Sequence, residues 1–255
     1  MKKNLAIIAI GFMCMALNGC NRKAQESRDE EPQSETIQVA DTIKNIEIIE
    51  KNGLIIYYPK YSYIDLVCEK MPTPNDTNIL MCCEAAFTGK ELDKFDHLNI
   101  AGNHVSSGKL YHGYSCDANT GCFTFYGDDK TWTFAVGDYN NYVEDASKRN
   151  GMAFGQSMLI LDGIKQPKDI QKATTAHHYR VLAELDDKLC IIDSKEIVPF
   201  GDFAKMLLKT GVKNALYLDM GKGWNYSYYR DNNGNIKYIH DVQIKYTTNW
   251  ITFYK

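Results

Sequence analysis

Residues 199–230 (PFGDFAKMLLKTGVKNALYLDMGKGWNYSYYR) constrain the fold more than any other stretch. Asp202 stands where a helix N-cap belongs. Phe203, Met206 and Leu207 recur at helical spacing, and Gly211 sits where a left-handed C-terminal cap would go. Residues 215–218 are then too short and too apolar for anything but a buried strand. Asp219 arrives where that strand should emerge, followed by Gly221 and Gly223. A carboxylate at the end of a buried strand, on a turn that backbone can approach closely, is a common way to build a site. The plainer alternative is a solvated aspartate in a turn.

The rest of the chain is punctuated for strands. Asn52-Gly53 predicts a hairpin of 43–49 with 54–58, residues 127–130 one of 122–126 with 132–136, and Asp186-Asp187 one of 179–185 with 188–193. Further strands are expected over 62–70, 79–87, 105–114, 158–161, 226–230, 236–240 and 249–254. Helix is expected over 202–210, with short helices in 89–95 and 140–150. The pattern is α+β: a strand-rich mixed sheet with few helices packed on it, in one globular domain over 43–255.

Lys2 and Lys3 precede an apolar run over 5–17 that is too short to span a bilayer comfortably, so 1–19 reads as a targeting segment. Leu17-Asn18-Gly19-Cys20 resembles the bacterial lipobox, in which the cysteine is lipidated; the alternative is an ordinary secretory signal cut nearby. The resemblance implies an outer-membrane lipoprotein held through Cys20, on the periplasmic face or the cell surface. Residues 20–42 are polar and charged, too poor in apolar groups to order themselves, and read as a flexible tether. The net charge of −3 and the lack of a basic patch argue against a nucleic-acid partner.

Once the signal is removed and Cys20 lipidated, six cysteines remain: Cys68, Cys82, Cys83, Cys116, Cys122 and Cys190. An even number in an exported chain suggests disulfides. Cys116 and Cys122 flank a turn-rich Asp-Ala-Asn-Thr-Gly loop and are expected to pair; the others cannot be paired from sequence. Cys82 and Cys83 should point to opposite faces of one strand. No CxxC or HxxxH spacing is present, so no metal cluster is expected; no cofactor is expected either. The loops 117–121 and 231–235 lack the glutamate that a calcium loop requires.

The order of signals over 50–255 resembles the phosphodiester glycosidase domain family, which includes the lysosomal uncovering enzyme, and within it a gut-bacterial lipoprotein branch. The resemblance rests on Glu84-Ala85-Ala86-Phe87-Thr88, on 155–163 (GQSMLILDG), on the hairpin that Arg180 starts, on 203–219 followed by Gly221, and on Asn249-Trp250-Ile251. Met220 departs from the family's glycine after the aspartate, and Glu84 stands near a position usually given to asparagine.

The resemblance implies a hydrolase of glycosyl phosphodiester or related glycan bonds, with a carbohydrate or sugar-phosphate substrate. Asp219 and Glu84 are the acid and base candidates, and His178 a proton carrier sharing a strand face with Arg180. Arg180 is the candidate anion clamp, because its planar fork matches phosphate oxygens. Gly221, Trp224, Tyr226, Arg230 and Asn249 are the remaining substrate-binding candidates. Alternatives stand beside these roles: Glu84 as a buried acid paired with Arg180, the histidines as surface loop, and the aromatics as packing over a hairpin. A non-catalytic glycan-binding lipoprotein is the alternative function; an envelope-assembly factor is a third.

Overall fold

The computed structural model describes residues 44–91, 94–168, 170–221, 223–246 and 248–255. The signal 1–19, Cys20 and the tether 20–42 lie outside the described residues. Those described belong to one compact unit, Thr42–Lys255. They form four sheets and two α-helices, a strand-rich α+β domain. No helix among them is long and apolar enough to cross a membrane.

Local turn chemistry sets the hairpins. Asn52 and Gly53 both take positive φ (53° and 78°), as do Asp186 and Asp187 (52° and 55°). That geometry closes two-residue turns whose twist suits the flanking strands. The first joins Ile46–Lys51 to Leu54–Pro59, and the second joins Arg180–Leu185 to Lys188–Ser194. The second turn fixes register, so Arg180 lies directly opposite Asp193.

These hairpins, with Asn214–Tyr217, Met158–Leu161 and Ile164–Lys165, make a seven-stranded sheet. A five-stranded sheet runs Ile236–Tyr238, Tyr228–Arg230, Ile79–Glu84, Trp250–Tyr254, Tyr63–Val67. A second runs Lys109–Tyr111, His104–Ser106, Met152–Gln156, Gly121–Phe125, Trp132–Val136. Ala176–His177 pairs with Val198–Pro199 in a small two-stranded sheet. All strand ladders among the described residues are antiparallel; one isolated bridge, Ala101–Tyr114, is parallel.

The seven-stranded sheet is apolar on both faces, which explains its continuous apolar strands. Leu182, Ile191 and Leu216 face the main core, where Met81, Phe123, Phe154 and Phe253 from the other sheets meet them. Val181, Ala183, Cys190, Ile192 and Tyr217 face the other way, against Phe200, Phe203 and Leu207 of the helix Phe200–Thr210. Cys82 and Cys83 do divide between two clusters.

Three local expectations are corrected. The helix begins at Phe200 with Pro199 at its cap; Asp202 lies in the first turn and takes Lys205 Nζ at 2.8 Å. Proline's fixed φ suits a helix start without a side-chain cap. Gly211 does close the helix in the left-handed region, at φ 92°. Of the helix expected over 89–95, residues 92 and 93 lie outside the described residues and the others are not helical; a 3₁₀ turn follows at His97–Asn99, capped by Asp96, and Gly89 N–H bonds Asn99 O at 2.7 Å. No disulfide joins Cys116 to Cys122, and all six cysteines are thiols. Cys122 is buried within its strand, its Sγ 3.9 Å from Thr124 Oγ1, whereas Cys116 sits half-buried in the loop.

Candidate functional site

Asp219 lies where the chain leaves the seven-stranded sheet. Leu218 N–H still bonds Arg180 O at 3.1 Å, but Asp219 N–H has crossed to Ala85 O at 3.1 Å, just beyond the strand Ile79–Glu84. The acceptor segment is fixed from two further directions. Gln156 Nε2 donates to the same Ala85 oxygen at 3.1 Å. The Asn249 amide accepts from Ala86 N–H at 2.8 Å and donates to Ala86 O at 3.0 Å. Folding thus brings 84–88, Asp219 and Asn249 to one junction between sheets. Asn249 is spent holding backbone there, not open to a ligand.

The Asp219 side chain is half-buried. Burial pushes its carboxyl from the ordinary aspartate range up to about 7, with the nearby Glu84 charge adding to the rise and the Thr88 backbone N–H opposing it. Tyr114 stands close by, its hydroxyl donating to Thr88 O at 3.3 Å. An acid that changes charge near neutrality at a strand end can give or take a proton in catalysis.

Glu84 and Arg180 meet, but out of reach of any ligand. Arg180 is 0 % and Glu84 1 % exposed. The guanidinium holds Asp193 bidentately (Nε to Oδ1 2.6 Å, Nη2 to Oδ2 2.7 Å) and donates through Nη1 to Glu84 Oε2 at 2.9 Å and to Ser227 Oγ. Ser227 Oγ donates to Glu84 Oε2, and Tyr226 N–H donates to Oε1. Arg180 is therefore an internal brace between two sheets, not a phosphate clamp, and Glu84 is its buried partner, not a free acid. The reason is register: a strand-end arginine opposite an aspartate is drawn into the core by the pair. Burial alone would raise the Asp193 carboxyl, but the Arg180 charge outweighs it and holds Asp193 below the usual range.

Arg230 is likewise internal. It donates to the carbonyl oxygens of Ile79, Gly234, Pro74 and Asp76 at 2.8–3.2 Å. Tyr226 packs among Tyr228, Tyr238 and Trp250. Neither is a substrate contact in this arrangement; both pack a sheet.

One open cleft, of about 580 Å³, is lined by His177, His178, Ile197, Met220, Gly221, Trp224, Asn225, His240, Asp241 and Gln243; another, of about 810 Å³, is lined in part by Thr88 and Tyr114, the residues beside the Asp219 carboxyl. Met220 and Gly221 of the first cleft directly follow Asp219 in the chain, while the Asp219 carboxyl itself lies against Thr88 and Tyr114 of the second. Met220 is pinned at both backbone ends by Tyr217 Oη, which donates to its carbonyl at 2.8 Å and accepts from its N–H at 3.3 Å. Trp224 packs on Tyr246 with ring centroids 4.7 Å apart. His178 stacks on His240 at 4.0 Å; burial lowers the His178 proton affinity and the neighbouring His240 lowers it further. Among the described residues no three His, Cys, Asp or Glu side chains are grouped to hold a metal ion.

Sequence reasoning missed Asp193, Ser227, Tyr114 and His240. Asp193 had a signal: a two-residue turn at Asp186-Asp187 forces Arg180 and Asp193 opposite one another. The others join segments distant in sequence, and no local pattern marks them.

This arrangement of sheets has a solved counterpart. The fold resembles a phosphodiester glycosidase catalytic domain. The catalytic domain of zebrafish N-acetylglucosamine-1-phosphodiester alpha-N-acetylglucosaminidase, auto-inhibited by its pro-peptide, superposes with a TM-score of 0.54 at 14% identity, covering 83% of this chain and 83% of that one. A hypothetical protein from Synechocystis superposes at 0.48 with 10% identity, over 83% of this chain and 62% of that one. No protein-family model matches the sequence, and no curated protein matches it. The relationship is a distant one of fold.

Proposed function

We propose that the domain is a hydrolase of glycosyl phosphodiester or related glycan bonds, with Asp219 as its acid–base group. One observation carries this reading: a half-buried carboxyl, held to about 7 by its surroundings, directly precedes Met220 and Gly221 of one cleft and lies against Thr88 and Tyr114 of another. The fold likeness to a phosphodiester glycosidase supports the bond class. In the cleft, Gly221 offers backbone, Trp224 an aromatic face for a sugar ring, and His178 a proton-accepting ring. With Arg180 sealed in the core, an anionic group is met by backbone and histidine. The lipobox-like Leu17-Asn18-Gly19-Cys20 supports carriage of the domain to the outer membrane by a signal over 1–19 and a lipid on Cys20, with 20–42 as tether.

A second reading is favoured by the same sealed arginine. Without a clamp the cleft could bind a glycan over Trp224 and cleave nothing. Hydrolysis of N-acetylglucosamine-1-phosphodiesters by wild type and Asp219→Asn separates the two. The hydrolase reading expects turnover by wild type and a loss of at least about 100-fold in the variant. Equal rates remove Asp219 from the mechanism, and no turnover by wild type leaves the binding reading.

A further inference from the structure

We infer that His240 is a second proton-transfer residue of this cleft, with Asp193 as its positioning residue; this rests on the hydrolase reading above. Its place in the cleft and its contact with a buried carboxylate converge on this role. The His240 side chain lines the cleft and is 22 % exposed. Its Nε2 lies 3.1 Å from Asp193 Oδ2, a carboxylate fixed from behind by both forks of Arg180. Its backbone takes φ 58°, in the left-handed region that histidine enters more readily than most residues with a side chain, and this holds the ring at the turn.

The hydrogen bonding sets the tautomer. A carboxylate accepts only, so Nε2 carries a proton, and in the neutral ring Nδ1 carries the lone pair. Nδ1 has no partner among the described residues. The groups around the ring are His178 stacked at 4.0 Å, Asp193 with Arg180 behind it, and Asp241 on its own segment; Glu196 stands near His178. A water held at Nδ1 would lose its proton to that nitrogen as its oxygen bonds to the electrophilic centre. The bond from that centre to the leaving oxygen breaks, and the leaving oxygen takes the proton of the Asp219 carboxyl. Solvent then returns the proton from His240 to Asp219.

The test uses His240→Gln, whose side-chain amide N–H can still reach Asp193 while the basic nitrogen is gone. Kinetics use an N-acetylglucosamine-1-phosphodiester. The expected result is a fall in kcat of about 100-fold with KM within about threefold and an unchanged melting temperature. A fall in kcat below about tenfold overturns the proposal. Imidazole nitrogen NMR of the wild type supplies a readout independent of turnover and of the variant's folding. It should show His240 protonated at Nε2, with an Nδ1 signal that moves on adding N-acetylglucosamine 1-phosphate. A proton on Nδ1 instead, or a signal that ignores that ligand, overturns it. A moving signal without any turnover refutes the hydrolase reading and leaves His240 as a ligand contact.

Discussion

Replacing Arg180 with methionine tests the buried brace. The substitution keeps length and apolar contact but removes four hydrogen bonds, three of them to carboxylates. It leaves Glu84 and Asp193, 1 % and 0 % exposed, without their cation. Breaking a buried pair by removing one partner costs about 3–5 kcal/mol. Two acids share this arginine, which pushes toward the upper end. Ser227, Tyr226 N–H and His240 still contact the carboxylates and pull it back. About 4 kcal/mol is expected, a large share of a typical domain's stability. With a urea slope of about 2.5 kcal/mol per molar, the midpoint should fall by about 1.5 M. The sign with pH is also fixed. In the wild type Asp193 is held below its unfolded value, so its contribution is present above about pH 4 and is lost as pH falls further. In Arg180→Met the Asp193 carboxylate is buried without that cation, so it protonates more readily than in the unfolded chain. The deficit should therefore shrink as pH falls from about 8 to about 5. Urea melts at both pH values, with the triple variant that adds Glu84→Gln and Asp193→Asn as control, read this directly. A midpoint shift under about 0.3 M, or a deficit that does not shrink with acid, would refute the brace.

Other substitutions probe the junction beside it. Asn249→Ala strands the buried Ala86 N–H and C=O together and should lower stability by about 2–4 kcal/mol in denaturant melts; Asn249→Asp keeps the acceptor and should cost less. Asp219→Asn should stabilise the fold, increasingly from about pH 4 to about pH 7. A carboxyl raised to about 7 keeps its proton in the native state after the unfolded chain has released its own, so rising pH costs the wild type and not the variant; thermal melts across that range check it. Reductant should leave the melting temperature of the domain unchanged, and unfolded domain 43–255 should titrate six thiols with a thiol reagent.

The sequence disclosed what its short-range chemistry controls. Asn52-Gly53 and Asp186-Asp187 set hairpins through left-handed turn residues, and Gly211 stopped a helix whose apolar spacing was plain. It also placed Asp219 at a strand end, because four apolar residues ran out there. Pairing between distant segments was not legible. Glu84 finds Arg180 across 96 positions and Asp193 finds His240 across 47, and nothing local distinguishes a clamp from a brace. The expected Cys116–Cys122 bridge failed for a related reason: spacing in a loop does not reveal that Cys122 turns into a core. Proline at the helix start displaced the expected Asp202 cap because either device begins a helix, and sequence alone did not choose between them.

The most direct measurement is the rate of N-acetylglucosamine-1-phosphodiester hydrolysis from about pH 5 to about pH 9, for wild type and Asp219→Asn. The account predicts a wild-type profile that breaks near the Asp219 value of about 7, and a slow variant whose profile has lost that break. A wild type without the break, or a variant that keeps both the break and the rate, contradicts it.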